Sequence, residues 1–184
     1  MNGIRTLTNL WIFAGCEQLS EIWDVYDEHG NKTGRFHERG KPMQKGDYHL
    51  VVNVWIANSK NKFLVSRRAA HKNHMWHTTG GAAVAGDDSF TTALKEVKEE
   101  IGIDLNPENG QFFKRCLYVN EEKKHNAFID VWFFRQDVDI NTTVLQEEEI
   151  CDVMYCSKDE IIKMKENGHY DYSYLDEMFE FFGV

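Results

Sequence analysis

The sequence predicts an α/β domain in which a mixed β-sheet is sandwiched between helices. Three observations lead there: stretches with strand character outnumber helical ones, the helices occur singly among the strands, and one helix carries a continuous apolar stripe. With 184 residues, 42% of them hydrophobic, the chain is long enough for one domain with a substantial core.

The first segment, through "LWIFAGC", is similar to a lipoprotein cleavage site ending at Cys16, but its apolar run is short and broken by Thr6, Thr8 and Asn9. Residues 1–20 are therefore expected to be an N-terminal extension, disordered or loosely docked, and residues 21–184 the domain. "EIWDVYD" and the return segment after Gly30 and Asn31 form a strand, turn and strand. "YHLVVNVWIA", "NSKNK" and "FLVSRR" predict a stronger hairpin, with β-branched and aromatic residues on either side of a polar turn. Trp55, Trp132, Phe133 and Phe134 stand at strand spacing and predict core or dimer contacts rather than a base-stacking platform.

A helix follows from Ser89 to Ile101. Phe90, Ala93, Leu94, Val97 and Ile101 recur at three- and four-residue spacing and make its apolar stripe. Asp87, Asp88 and Ser89 supply capping and favourable dipole charge, and Gly102 suits the position past its end. Beyond it, "QFFKRCLYVN" and "AFIDVWFFR" are strands joined by the charged "EEKKH", and "ICDVMYC" is the last strand. The chain closes with a helix capped by Ser157 and stopped at Gly168, then an amphipathic helix around "YLDEMFEFF".

Thirty acidic against twenty-one basic side chains give a net charge of −9, which opposes non-specific attraction to DNA or an anionic membrane face. An anionic substrate would need a cation between it and the protein. No stretch is long enough to span a bilayer. Cys16, Cys116, Cys151 and Cys156 contain no C-x-x-C pair and are read as reduced thiols of a cytoplasmic protein.

The informative feature is the charge on the helix. Glu96, Glu99 and Glu100 stand at i, i+3 and i+4 and share one face. Two bare carboxylates about 4 Å apart repel by roughly 1 kcal/mol in water and about 4 kcal/mol at a protein-like effective dielectric. Lys95 and Lys98 could relieve such a face in solvent. The preceding Gly80, Gly81 and Gly86, however, let the backbone approach a ligand closely, and oxygen-only ligands suit Mg²⁺ or Mn²⁺.

From Gly81 to Ile103 the chain reads G-x5-D-x7-K-E-V-x-E-E-x-G-I. It resembles the Nudix box, G-x5-E-x7-R-E-U-x-E-E-x-G-U, at every spacing. It departs from the box at Asp87, where the family has Glu, and at Lys95, where the family has Arg; both changes weaken the supporting salt bridge. The resemblance implies the family's α/β/α sandwich and hydrolysis of a nucleoside diphosphate-linked or related small molecule. It implies divalent metal on Glu96, Glu99, Glu100 and the Gly80 carbonyl, with Glu96, Glu99 and Lys95 as the catalytic group. Arg67, Arg68 and Gly81 are candidate substrate contacts. The general base would come from a loop, with Glu121, Glu122, Glu147, Glu148 and Glu149 as candidates. The expected partner is a small diphosphate, with a homodimer as an open alternative. A second reading is a Nudix-fold module that binds a nucleotide or protein without turnover.

The early strands and Trp76 also resemble the branch containing isopentenyl-diphosphate isomerase. That enzyme has Cys-Gly-His-Pro before its box, where this chain has Gly80-Gly81-Ala82-Ala83. His49 matches one of its metal histidines, but Pro42 occupies the place of the partner, so the isomerase is disfavoured. His71, His74 and His77 share no common ligand face at H-x-x-H-x-x-H spacing and are read as surface histidines.

Overall fold

A computed structural model of the chain describes residues 20–168 and 174–184. Apart from Ser20, the expected N-terminal extension, Cys16 included, lies outside the described residues. The strands are β1 (Ile22–Tyr26), β2 (Lys32–Glu38), β3 (His49–Ala57), β4 (Phe63–Arg68), β5 (Trp76–His77), β6 (Gly110–Asn120), β7 (His125–Arg135) and β8 (Ile150–Cys156). The helices are α1 (Ser89–Ile101), α2 (Lys158–Glu166) and α3 (Leu175–Phe182).

The larger sheet is mixed, as the sequence predicts. β3 runs parallel to β7 along its whole length, from His49 opposite Ala127 to Ala57 opposite Arg135, while β6 and β8 pair antiparallel with β7 and β4. Alternation along β3 sorts its side chains onto two layers. Val52, Val54 and Ile56 pack with Ala93, Val97 and Ile101 of α1, and Trp55 and Ala57 pack with Ile161 of α2 and Leu175, Met178 and Phe179 of α3. Phe133 and Phe134 of β7 divide between the same two cores, so the aromatic segment is core. Each such buried side chain contributes about 2 kcal/mol of transfer free energy.

The structure corrects one expectation. The hairpin of β3 and β4 is only half made: Ile56 pairs with Leu64 and Ala57 with Phe63, and then the strands part. The segment from Trp76 to Ala83 wedges into the opening. β5 pairs with Ser66 and Arg67 of β4, while Val54 and Val52 donate to the carbonyls of Thr79 and Gly81, and Ala83 donates to that of Leu50. Sequence patterning reads this segment as an irregular loop because only two of its residues have strand geometry. Its pairing supplies backbone partners that β3 would otherwise lack.

β1 and β2 form a separate ribbon. It is tied to β3 by reciprocal backbone bonds between Tyr26 and Tyr48 and by two hydrogen bonds, 2.6 and 2.7 Å, from Arg35 to Asp47. Asp24 of β1 accepts from the Gly86 N–H at 2.9 Å and from Lys32 at 2.7 Å, which latches the end of the glycine segment. The helix boundaries follow their caps. Asp88 accepts from the Thr91 N–H at 2.7 Å, and Gly102 ends α1 in the left-handed conformation at φ 76°. Each cap contributes about 1 kcal/mol. Ser157 and Glu160 form a reciprocal capping box on α2.

Candidate active site

The parted strands open onto a cavity of about 540 Å³. One wall is built by the wedge and α1. Gly80 lies so close to β3 that a Cβ there would stand 2.1 Å from the Val52 carbonyl oxygen, which no side chain permits. Gly81 is crowded from the other side by a side chain that can move, since its Cβ would meet the Glu96 carboxylate at 2.5 Å. The two glycines therefore bring backbone against carboxylates: the Gly80 N–H makes a long hydrogen bond of 3.4 Å to Glu100. Glu96, Glu99 and Glu100 all line the cavity.

Burial raises the pKa of Glu96 to about 7, helped by repulsion from Glu99. Burial also raises Glu100 to about 8, with Glu96 adding to the shift and the Gly80 N–H opposing it. Desolvated, mutually repelling carboxylates aimed at a glycine cradle fit a hard divalent cation, and the oxygen donor set suits Mg²⁺ or Mn²⁺. Among the described residues, no three His, Cys, Asp or Glu side chains are drawn together as closely as a bound ion holds its ligands.

Lys95 and Asp87, the two residues that depart from the motif, pair with each other. Lys95 Nζ donates to both carboxylate oxygens of Asp87 at 2.7 and 2.9 Å. Lys95 is held outside the cavity lining; its contact is with the turn that starts α1, which makes it an anchor of the helix entry.

The second wall comes from scattered segments. His49, Val51 and Asn53 occupy alternate positions of β3 and share one face. His49 is 1% exposed, stacks on Trp23 at 4.0 Å, and faces His125 with their Nε2 atoms 3.1 Å apart. Burial and the neighbouring His125 depress its pKa to about 3. Glu21 accepts from Trp23 Nε1 at 2.6 Å and from Arg39 at 2.5 Å, fixing this corner. His77 corrects the surface-histidine expectation. It is half-buried, lines the cavity and contacts the Thr78 carbonyl through Nδ1, and burial lowers its pKa to about 4. His71 and His74 are exposed as expected.

The arginine pair separates. Arg68 lines the cavity, whereas Arg67 lies over Trp76 at 5.6 Å and donates to the His74 carbonyl. Among the acids named as bases, Glu149 lines the cavity beside Gln146 and pairs with Lys72. Glu121, Glu122 and Glu148 are exposed and lie outside its lining. Sequence reasoning did not find Glu21, Arg39, Asn53, His125 or Gln146; only the i, i+4 relation of Asn53 to His49, which puts both on one face of a strand, could have signalled one of them.

The chain is similar to known proteins over most of its length. The NUDIX domain pattern matches residues 47–177. An uncharacterised Nudix hydrolase of Listeria monocytogenes is 33% identical over 86% of this chain and 94% of its own length. An isopentenyl-diphosphate isomerase of Aromatoleum aromaticum is 30% identical over 44% of each chain. Among solved structures, a Deinococcus radiodurans protein superposes with a TM-score of 0.64 at 18% identity, covering 86% of this chain and 96% of that one.

Proposed function

The chain belongs to the Nudix family and is a Nudix hydrolase, and from that premise we propose that it cleaves the phosphoanhydride bond of a small diphosphate compound with a divalent cation as cofactor. The observation that carries this reading is that Glu96 and Glu100 meet the Gly80-Gly81 cradle, with the exposed Glu99 lining the same cavity. Among the residues lining it, the carboxylates of Glu21, Glu96, Glu99, Glu100 and Glu149 face only two guanidiniums, those of Arg39 and Arg68. A diphosphate therefore enters with a cation or is repelled.

Glu96, Glu99 and Glu100 are the residues assigned to hold Mg²⁺, with the Gly80 carbonyl beside them. The ion, when bound, neutralises the diphosphate and lowers the pKa of the attacking water. Arg68, which has no side-chain hydrogen bond among the described residues, is placed to clamp a phosphate oxygen. Glu149 takes the water's proton: it lines the cavity and pairs with Lys72. The water oxygen forms a new bond to phosphorus as the bridging oxygen leaves, giving two phosphorylated products or one and inorganic phosphate. The working unit is residues 21–184, because the β1–β2 ribbon supplies Glu21, Trp23 and Arg39 to the cavity.

The isomerase reaction is not proposed, because neither its cysteine nor the adjoining metal histidine is present at Gly80-Gly81-Ala82-Ala83. The test is phosphate or monophosphate release from a diphosphate panel with Mg²⁺, comparing wild type with Glu149→Gln. A general base is worth about 10²–10⁴-fold in rate, so this variant should lose at least a hundredfold in kcat. Cleavage of no panel member by the wild type would refute the reading.

A further inference from the structure

The larger sheet ends at β6. From Gly110 to Asn120 this strand pairs with β7 alone, and among the described residues no further strand lies beyond it. Which of its backbone groups are left over follows from the pairing on the far side of β7. Val52 and Val54 turn their amides to the wedge, so the residues between them in β3 face β7. The Gln136 N–H, donating to the Ala57 carbonyl, then marks the even-numbered residues of β7 as those that bond β3. The odd-numbered ones bond β6 through their partners Lys114, Cys116 and Tyr118. Arg115, Leu117 and Val119 therefore turn their N–H and C=O groups away from the sheet, and among the described residues no loop or turn bond reaches them.

A long open edge is ordinarily blunted by free charges, proline or a covering segment. Here Arg115 is held by Asp130 at 2.6 and 2.8 Å and Lys114 by Glu177, and the next four residues, Cys116 to Val119, carry no charged side chain. Leu117 is 60% exposed, Val119 49% and Tyr118 41%, so apolar side chains flank the edge on both faces of the sheet. The strand contains no acid, although the chain as a whole has a net charge of −9. Two copies that repel elsewhere can meet along it. The strand is also complementary to itself. Antiparallel pairing about a two-fold axis anywhere from Cys116 to Tyr118 sets no like charges face to face, whereas an axis at Arg115 opposes two guanidiniums and one at Val119 opposes Arg115 to Lys123.

We infer that β6 is the seam of a homodimer, in which it pairs antiparallel with β6 of a second copy and the two six-stranded sheets become one. No residue of the seam lines the cavity, so this stands apart from the hydrolase reading. Sedimentation equilibrium of the full chain should give twice the monomer mass. Leu117→Lys, which brings like charges together near the axis, should weaken the dimer at least about a hundredfold. Its far-UV circular dichroism should match the wild type, because Leu117 is exposed. In Tyr118→Cys, mild oxidation should join two chains through the tryptic peptide that starts at Cys116. Positions 116 and 118 fall in the closer cross-strand pairs of such a seam, with Cα atoms about 4.5 Å apart, where a disulfide fits. A monomeric wild type, which leaves the edge to a strand of some other protein, would overturn the inference. So would a dimer that Leu117→Lys leaves intact, or the absence of a cross-link through that peptide. Should Leu117→Lys lose its fold, the cross-link decides alone.

Discussion

The two walls of the cavity are built in opposite ways. The acidic wall comes from one continuous stretch, Gly80 to Gly102, in which helix geometry spaces the glutamates and cap and the glycines lie just ahead of the helix. The imidazole wall is assembled from β1, β3, the wedge and β7, whose cavity residues run from Trp23 to His125. Under the proposed reading the contrast separates chemistry from recognition: the groups assigned to the cation sit on a rigid helix, whereas the residues of the other wall are collected by the tertiary fold.

If that division is right, changes on the two walls should have different signatures, and the largest belong to the acidic wall. Glu99→Gln and Glu100→Gln should each lower kcat by about 10²–10³-fold, the several kcal/mol a divalent cation contributes to phosphoryl chemistry. Glu100→Gln should at the same time raise the Tm of the metal-free protein at pH 8, because it removes a buried charge. A fall in Tm equal to the fall in activity would instead make the residue structural.

The glycines sharpen the contrast within one wall. Gly80→Ala, whose Cβ would collide with rigid β3 backbone, should cost about 3 kcal/mol of stability in denaturant unfolding. Gly81→Ala meets a movable carboxylate, so it should leave stability within about 1 kcal/mol and weaken Mg²⁺ affinity measured by calorimetry.

Proton linkage gives the walls opposite pH responses. Glu96 and Glu100 keep their protons in the fold to about pH 7 and about pH 8, but lose them nearer 4.5 when unfolded. Their contribution is complete below the unfolded value and disappears as pH rises through the folded one. His49 and His77 stay neutral in the fold down to about pH 3 and about pH 4, against 6.5 unfolded, so their contribution is complete above that and fades as pH falls. Metal-free protein should therefore be most stable between about pH 5 and 6.5, and Mg²⁺ should raise Tm more at pH 8 than at pH 5. Thermal melts in EDTA and in Mg²⁺ test this, and an equal Mg²⁺ shift at both values would count against the assigned ligands. The smallest effect belongs to Lys95→Ala, which removes an exposed pair with Asp87 worth about 0–1 kcal/mol and should lower activity less than tenfold.

The same contrast explains what could be read in advance. α1 was legible to the residue, because its stripe, Asp88 cap and Gly102 stop are local properties of the chain. Glu96, Glu99 and Glu100 shared a face by spacing alone. His77 was not legible, because its burial depends on β4 and β3 parting, and nothing in the alternation of "HLVVNVWIA" and "FLVSRR" marks where pairing stops. The acids Glu147, Glu148 and Glu149 look alike in sequence; a tight turn in which the Glu149 N–H donates to the Gln146 carbonyl turns one of them inward. The two residues that depart from the motif were read as one salt bridge, and Lys95 does donate to both carboxylate oxygens of Asp87.

The wedge from Trp76 to Ala83 is moored to β3 by main-chain amides and carbonyls, which are indifferent to what side chains surround them. The cradle's placement is thereby insulated from the identity of its neighbours. Under the proposed reading, residues of the opposite wall can be exchanged while the cradle stays in register. In hydrogen exchange, the amides of Val52, Val54 and Ala83 should then be as slow as those of the central ladder, even in variants of that wall.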